Sequence, residues 1–408
     1  LNPPLAAKLK KPELLAPVGD FAMLRAAIQG GCNAIYFGIR GLNMRIRASN
    51  FSIRDLPEVV RICHENQIHA YLALNTIIYE NELPQVKHIL KKARENQIDA
   101  IIAWDLAVLR YAREFQLPVH LSTQASASNS AAIEMYAALG VSRLVLAREC
   151  SLAQIRKIKS KVTAEIEVFI HGAMCVSESG RCFISQFLYG KSANRGECIQ
   201  PCRREYEVVD KKSNEKLILG RDYVLSPKDL CTLPFIDKLI AAGIDAFKIE
   251  GRARSPEYVK TVVECYRQAI DAWFEDKLSD EFKAGLLHRL KTVYHRGFSS
   301  GFYLGKPINE WADSAGSVAT TRKEFVGVVQ NYYKKVGVAD ILIQAGHLNI
   351  ADKLLIIGPT TGVIEFVVNS IENLRHESVN WANQGELVGI KTPALVRRND
   401  KVYKIIQL

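Results

Sequence analysis

The chain has 408 residues, 48% of them hydrophobic and 24% charged, an ordinary globular balance that excludes an intrinsically disordered protein. Lys and Arg outnumber Asp and Glu by 54 to 43, giving a formal charge of +11 that suits a polyanion such as RNA as readily as it suits a merely basic enzyme. No uninterrupted apolar run reaches the roughly 18 residues of a membrane-spanning helix, and Leu1 to Lys11 lack a signal-peptide core, so a cytoplasmic protein without a membrane partner is expected.

In chain order, short apolar runs alternate with amphipathic stretches. Strands are expected at Glu13 to Pro17, Ala34 to Gly38, His69 to Asn75, Ala100 to Trp104, Val119 to Ser122, Arg143 to Leu146, Ile166 to Ile170 and Ala246 to Glu250. Helices with apolar positions three or four apart follow at Phe21 to Gln29, Leu56 to Asn66, Leu83 to Asn96, Ala107 to Phe115, Ala131 to Leu139, Leu152 to Lys161, Pro234 to Ala242 and Pro256 to Phe274. Eight βα units predict an α/β fold, a closed (β/α)8 TIM-like barrel rather than an open sheet. Between the seventh strand and its helix lies an excursion, 172–233, far longer than a usual βα loop. Active groups of such barrels sit on the loops after the strands, so function is sought there. After a helix at Asp280 to Tyr294 the chain turns rich in Gly, Ser and aromatics, and from Glu324 it reads as alternating strands: Val326 to Val329, Asp340 to Gln344, Lys353 to Ile357, Ile364 to Val368 and Glu386 to Ile390. Two domains are expected, a barrel with its cysteine-rich insertion over 1–316 and a small C-terminal all-β barrel over 317–408.

Nine cysteines, an odd number, argue against a disulfide framework. Five fall within the excursion: Cys175, Cys182, Cys198, Cys202 and Cys231. Thiolates gathered so closely need a cation, and soft sulfur selects zinc, copper(I) or iron-sulfur. A zinc knuckle is normally announced by two close pairs, and only Cys198 and Cys202 form one. The spacing therefore favours an iron-sulfur cluster, with zinc and uncoordinated thiols as alternatives. Cys32, Cys63, Cys150 and Cys265 lie in apolar patterns and are expected to be buried. A thiol peptidase is also conceivable, since His171 precedes Cys175 by four residues, yet nucleophile and base are normally distant in sequence.

Polar groups recur where the strands should end: Asn43, Arg45 and Arg47, then Asn75, Asp105, Gln124, Arg148 with Glu149, His171, and Glu250 with Arg252. Each alone has a structural reading, Asp105 as a helix cap and Glu250 with Arg252 as an ion pair. As a set on one rim they describe an active-site mouth, whose arginines suit a small anionic metabolite or phosphate. The candidate catalytic set is therefore Arg45, Arg47, Asn75, Gln124, Arg148, His171, Glu250 and Arg252. Basic pairs at Arg203-Arg204, Lys211-Lys212, Lys334-Lys335 and Arg397-Arg398 are candidates for phosphate contact.

Several stretches resemble peptidase family U32, whose members are called collagenase-like. They are Glu13 to Pro17, His171-Gly-Ala-Met-Cys175, Ser179-Gly-Arg-Cys182, Gly196-Glu-Cys198 with Cys202-Arg203, Ser226 to Cys231, and Lys248-Ile-Glu-Gly-Arg252 leading into Ser255 to Tyr258. Despite the family name, the resemblance implies oxygen-independent hydroxylation of wobble uridine in tRNA, of ribosomal RNA, or of ubiquinone precursors. It also implies a 4Fe-4S cluster, which carried over falls on Cys175, Cys182, Cys198 and Cys231; Cys202 is left as an alternative to Cys198. The β-module from about Glu324 is similar to that of tRNA-modifying members. The resemblance thus implies 5-hydroxyuridine formation in tRNA with prephenate as a required metabolite; an accessory redox partner is a further candidate. A peptidase and a ribosomal RNA hydroxylase are the alternatives.

Overall fold

The computed structural model describes residues 9–207, 209–216, 225–314 and 316–408; the opening segment weighed above for a signal lies outside them as far as residue 8. Eight parallel strands close a barrel. They are β1 (Glu13–Pro17), β2 (Ala34–Gly38), β3 (His69–Ala73), β4 (Ala100–Ala103), β5 (Val119–Leu121), β6 (Val141–Val145), β7 (Glu165–Gly172) and β9 (Ala246–Ile249). Each pairs with the next, β7 passes to β9, and β9 returns to β1 with Ala246 beside Glu13. Around them stand α1 (Phe21–Gln29), α2 (Leu56–Glu65), α3 (Leu83–Glu95), α4 (Leu106–Glu114), α5 (Ser130–Ala138), α6 (Leu152–Lys159), then beyond the excursion α8 (Ile236–Ile240) and α9 (Pro256–Phe274). Asp20, Asp105, Asn129 and Ser151 accept from backbone N–H groups at four helix starts, so Asp105 is a cap.

The alternation of side chains along the strands divides apolar from ionic. On β9, Phe247 and Ile249 belong to the shell packed against the helices, whereas Lys248 and Glu250 line the cavity inside. Inside the barrel the Lys248 ammonium is 2.7 Å from Glu167, and Arg143 bridges Glu13 at 2.6 Å and Glu165 at 2.7 Å. Lys248, Glu167 and Arg143 are buried, and a buried pair persists only because each partner would be costlier alone.

The excursion is more ordered than a long loop. β7 runs to Gly172, two residues past expectation, because β8 (Asp229–Cys231) pairs antiparallel with its end and sets His171 opposite Cys231. β10 (Phe298–Ser299) adds to β8 in parallel. A short helix, α7 (Ile184–Tyr189), lies within the excursion, and α10 (Asp280–Leu290) packs on α9. The fully buried Tyr258 and Tyr266 of α9 fix the strand ends beneath, donating hydroxyl hydrogen bonds to Glu250 O at 3.2 Å and Ile170 O at 2.9 Å.

The C-terminal part is all β, as expected, with its own apolar core. Its strands are β11 (Thr321–Tyr333), β12 (Val338–Ile343), β13 (His347–Asn349), β14 (Lys353–Gly358), β15 (Gly362–Val367), β16 (Ile371–Glu372), β17 (Ser378–Val379), β18 (Trp381–Asn383), β19 (Leu387–Lys391) and β20 (Lys401–Gln407). An eight-stranded antiparallel sheet in the order β15-β14-β20-β11-β12-β19-β16-β17 and the pair β13-β18 enclose that core. The module packs against the outside of the barrel. Ala26 of α1 meets Leu355 and Val363, and the Gln29 amide bonds Thr361 O and Val363 N, each at 2.9 Å.

Candidate functional site

A cavity of about 320 Å³ opens where the barrel strands end. Its deeper wall includes Tyr36, Ala73, Ile102, Val145, Phe169 and Lys248, and small Ala73 leaves room there. Arg45, Arg47, Asn75, Gln124, Arg148, Glu250 and Arg252 all line it, seven of the eight residues expected at the mouth. Tyr36, Lys248 and Arg254 join them without having been expected at the mouth, and Arg203, expected as a phosphate contact, lines the cavity too. Lys248 carries a legible signal, since it stands two residues before Glu250 on one strand and must face the same way.

Glu250 organises the basic groups. Its carboxylate accepts from Arg45 Nε at 3.0 Å and Nη2 at 2.8 Å and from the Tyr36 hydroxyl at 3.3 Å. Burial pushes the Glu250 carboxyl up, but Arg45, Arg148 and Arg252 outweigh it and hold the pKa at about 2. Burial lowers Arg252 to about 10 and also lowers Arg148 and Lys248. Arg252 donates to Asn43 Oδ1 at 3.1 Å, and Arg148 donates to Ala173 O at 2.8 Å while its guanidinium lies 4.0 Å from the Phe169 ring centre. The Nε atoms of both arginines are buried without a partner, an arrangement an anionic ligand would satisfy. Across the mouth, Asn75 donates to Ser122 Oγ at 3.3 Å, and the Ser122 hydroxyl donates to Gln124.

His171, the eighth expected residue, does not reach the cavity. The β7–β9 register shifts between Phe169 and His171, and the ring lies buried among Tyr258, Tyr266 and Phe298, its Nδ1 3.3 Å from the Tyr266 hydroxyl. Burial depresses its pKa to about 3, so it is neutral at physiological pH and serves the core.

The thiols are regrouped as well. Cys175, Cys182 and Cys198 line the cavity, and Cys202 lines it with them. Cys231, the fourth ligand expected from the resemblance, stands apart: it is 3% exposed, opposite His171 on β8, with its sulfur 3.8 Å from the Tyr266 hydroxyl. Burial raises the Cys231 thiol to about 11. Cys202 is raised by burial, opposed by Arg203 and reinforced by Cys175, Cys198 and Cys182, the charges of neighbours on one wall. Cys32, Cys63, Cys150 and Cys265 are buried.

Two glycines press this wall onto the barrel. A Cβ on Gly196 (φ +86°) would lie 2.2 Å from Asn43 O, and one on Gly172 (φ +107°) 2.4 Å from Glu250 O. Four thiols on one cavity wall are the soft donor set that an iron-sulfur cluster needs. Among the described residues, no three His, Cys, Asp or Glu side chains close around a point tightly enough to hold a single ion.

Residues 19–313 match peptidase family U32. A protein named collagenase from Porphyromonas gingivalis W83 is 42% identical over 406 residues, covering 96% of this chain and 97% of its own length. The tRNA hydroxylation protein P1 of Bacillus subtilis is 34% identical, with 91% of this chain and 88% of that protein covered. The 23S rRNA 5-hydroxycytidine C2501 synthase of Escherichia coli is 33% identical over 86% of this chain, which spans 54% of that larger protein. No helix among the described residues is long and apolar enough to cross a membrane. With most of its barrel matched and relatives above 30% identity along almost its whole length, the chain belongs to peptidase family U32.

Proposed function

We propose that the protein is an iron-sulfur-dependent RNA hydroxylase that forms 5-hydroxyuridine at the wobble position of tRNA. The observation that carries this reading is the meeting of Cys175, Cys182, Cys198 and Cys202 on one wall of a cavity otherwise rich in arginine. Two relatives are named for hydroxylation of tRNA and for 5-hydroxycytidine in ribosomal RNA, which supports a pyrimidine of RNA as the substrate. The four thiolates would hold a 4Fe-4S cluster, which when bound supplies one-electron chemistry beside the cavity.

The chain's own groups do the rest. Arg148 and Arg252 present donors to the carboxylates of a small metabolite, for which prephenate is the candidate. Glu250 holds Arg45 across the mouth and keeps that donor fixed. Asn75, Ser122 and Gln124 offer amide and hydroxyl groups to the edge of a base. Only a base out of its stack reaches such a recess, so the wobble nucleotide enters extruded. Replacing the C5 hydrogen of uridine by the hydroxyl of water releases two electrons and two protons, so an accessory redox partner would accept the electrons.

Mass spectrometry of tRNA nucleosides from cells lacking the protein, grown without oxygen, tests the reading. Loss of 5-hydroxyuridine derivatives is expected; unchanged levels would remove the tRNA assignment. Loss of a hydroxylated ribosomal pyrimidine instead would move the substrate to ribosomal RNA.

A peptidase is the second reading, favoured by the name of the 42% identical relative. A thiol peptidase needs an imidazole within reach of its nucleophile. Among the described residues no histidine lines the cavity, and His171 is held in the core, which weighs against it.

A further inference from the structure

The helix α7 has two unlike sides. Inward, Ile184 lines the cavity, and buried Ser185 bonds the Cys198 sulfur at 3.9 Å and the Ile199 N–H at 3.3 Å. Outward, Phe183 is 61% exposed, Phe187 84%, Leu188 56% and Tyr189 42%. Three large apolar side chains on a six-residue helix, with Phe183 at its N-cap, form a patch of the kind that marks a binding surface.

Charge indicates what covers it. From Ser179 to Gly196 the sequence has Arg181, Lys191 and Arg195 and not one acidic residue. Guanidinium groups are laid on rings around the same rim: Arg204 lies 4.8 Å from the Tyr189 ring centre, Arg195 4.6 Å from Tyr79, and Arg181 5.1 Å from Trp104. Phe183 and Phe187 stand with ring centres 6.1 Å apart, a spacing that leaves open faces on both. Aromatic faces interleaved with arginine are how proteins hold single-stranded RNA, with bases stacking on rings and phosphates meeting cations. Arg195 is held by Glu82 and Lys191 lies 3.9 Å from Glu197, so phosphates would fall to Arg181 and Arg204, which an apolar protein surface or a lipid tail would not use.

We propose that the outward face of α7 is a stacking platform for the unpaired nucleotides that flank the base in the cavity; this rests on the RNA reading above. One short segment thereby carries two tasks, thiols and cavity wall on its inner side and a landing for the neighbouring bases on its outer side. Stacking does not discriminate among bases, so the platform orders the loop while the cavity selects the nucleotide.

The test is the affinity of the holoprotein for a short unstructured oligouridylate and for a blunt RNA duplex, by fluorescence polarisation, in wild type, Phe187→Ala and Phe187→Trp. Phe187 is almost wholly exposed, so the variants fold, as an unchanged melting temperature will verify. Phe187→Ala is expected to weaken oligouridylate binding about 5- to 150-fold while leaving the salt dependence and duplex binding unchanged, and Phe187→Trp to restore it. Unchanged oligouridylate affinity in Phe187→Ala, beside firm wild-type binding, overturns the platform and leaves the RNA reading standing. A wild-type protein that binds neither RNA overturns both. Anionic phospholipid vesicles are titrated as a third probe: loss of vesicle binding in Phe187→Ala, with RNA affinity intact, overturns the platform in favour of a membrane surface.

Discussion

Among the described residues Glu250 is the sole carboxylate on the cavity wall, facing Arg45, Arg148 and Arg252, and its ionisation is therefore coupled to folding. Its folded pKa, about 2, lies below the ordinary 4.5, so the stability it contributes is complete above pH 4.5 and is lost as pH falls toward 2. That shift corresponds to about 3 kcal/mol at neutral pH. Glu13 titrates in the same window, because His69 and Arg143 hold it at about 2 against the effect of burial. His171, depressed to about 3 by burial, begins to lose stability sooner, as pH drops below 6.5. Urea unfolding at pH 7, 4.5 and 3 should show a steep loss for wild type. Glu250→Gln should be less stable at pH 7 by about 3–5 kcal/mol, since it strands buried arginines, and should show a shallower acid loss. Equal acid slopes in the two proteins would contradict this assignment.

Among the elements, the cysteine excursion depends on contacts at which no side chain fits. Gly196 lies against the Asn43 carbonyl with a positive φ, so Gly196→Ala should cost more than about 1 kcal/mol and loosen the thiol wall. Hydrogen exchange would then rise in 175–202 before it rises in β2; uniform exchange across both would refute that order. The eight barrel strands and most of their helices are legible in the sequence, because apolar runs of three to five residues are bounded by glycine or polar groups. The ionic interior of Glu13, Arg143 and Glu167 is not, since in a barrel buried on both faces a charged residue on a strand reads as exposure. The cavity arginines are legible as strand-end groups. His171 and Cys231 lie outside the cavity lining because their places are set by the pairing of β7 with β8 and by Tyr266 of α9, contacts with no signature in local spacing. Cys202 lines the cavity with the other three thiols, a placement that motif matching alone leaves open.

At the scale of the whole molecule, the β-module is fixed along α1 and α9, with Lys323 paired to Glu257 at 2.7 Å and Lys260 donating to Val363 O at 3.2 Å. Barrel and module thus offer one basic body to a large polyanion, consistent with the charge of +11. Affinity for tRNA should fall with salt at a log-log slope of about −3 to −6, the signature of several phosphates neutralised; a flat response would count against RNA. The central claim is the set of thiols, and iron and sulfide analysis of anaerobically prepared protein tests it most directly. Wild type should carry about four irons per chain, Cys202→Ser should lose them, and Cys231→Ser should keep them. Iron retained by Cys202→Ser and lost from Cys231→Ser would contradict the account.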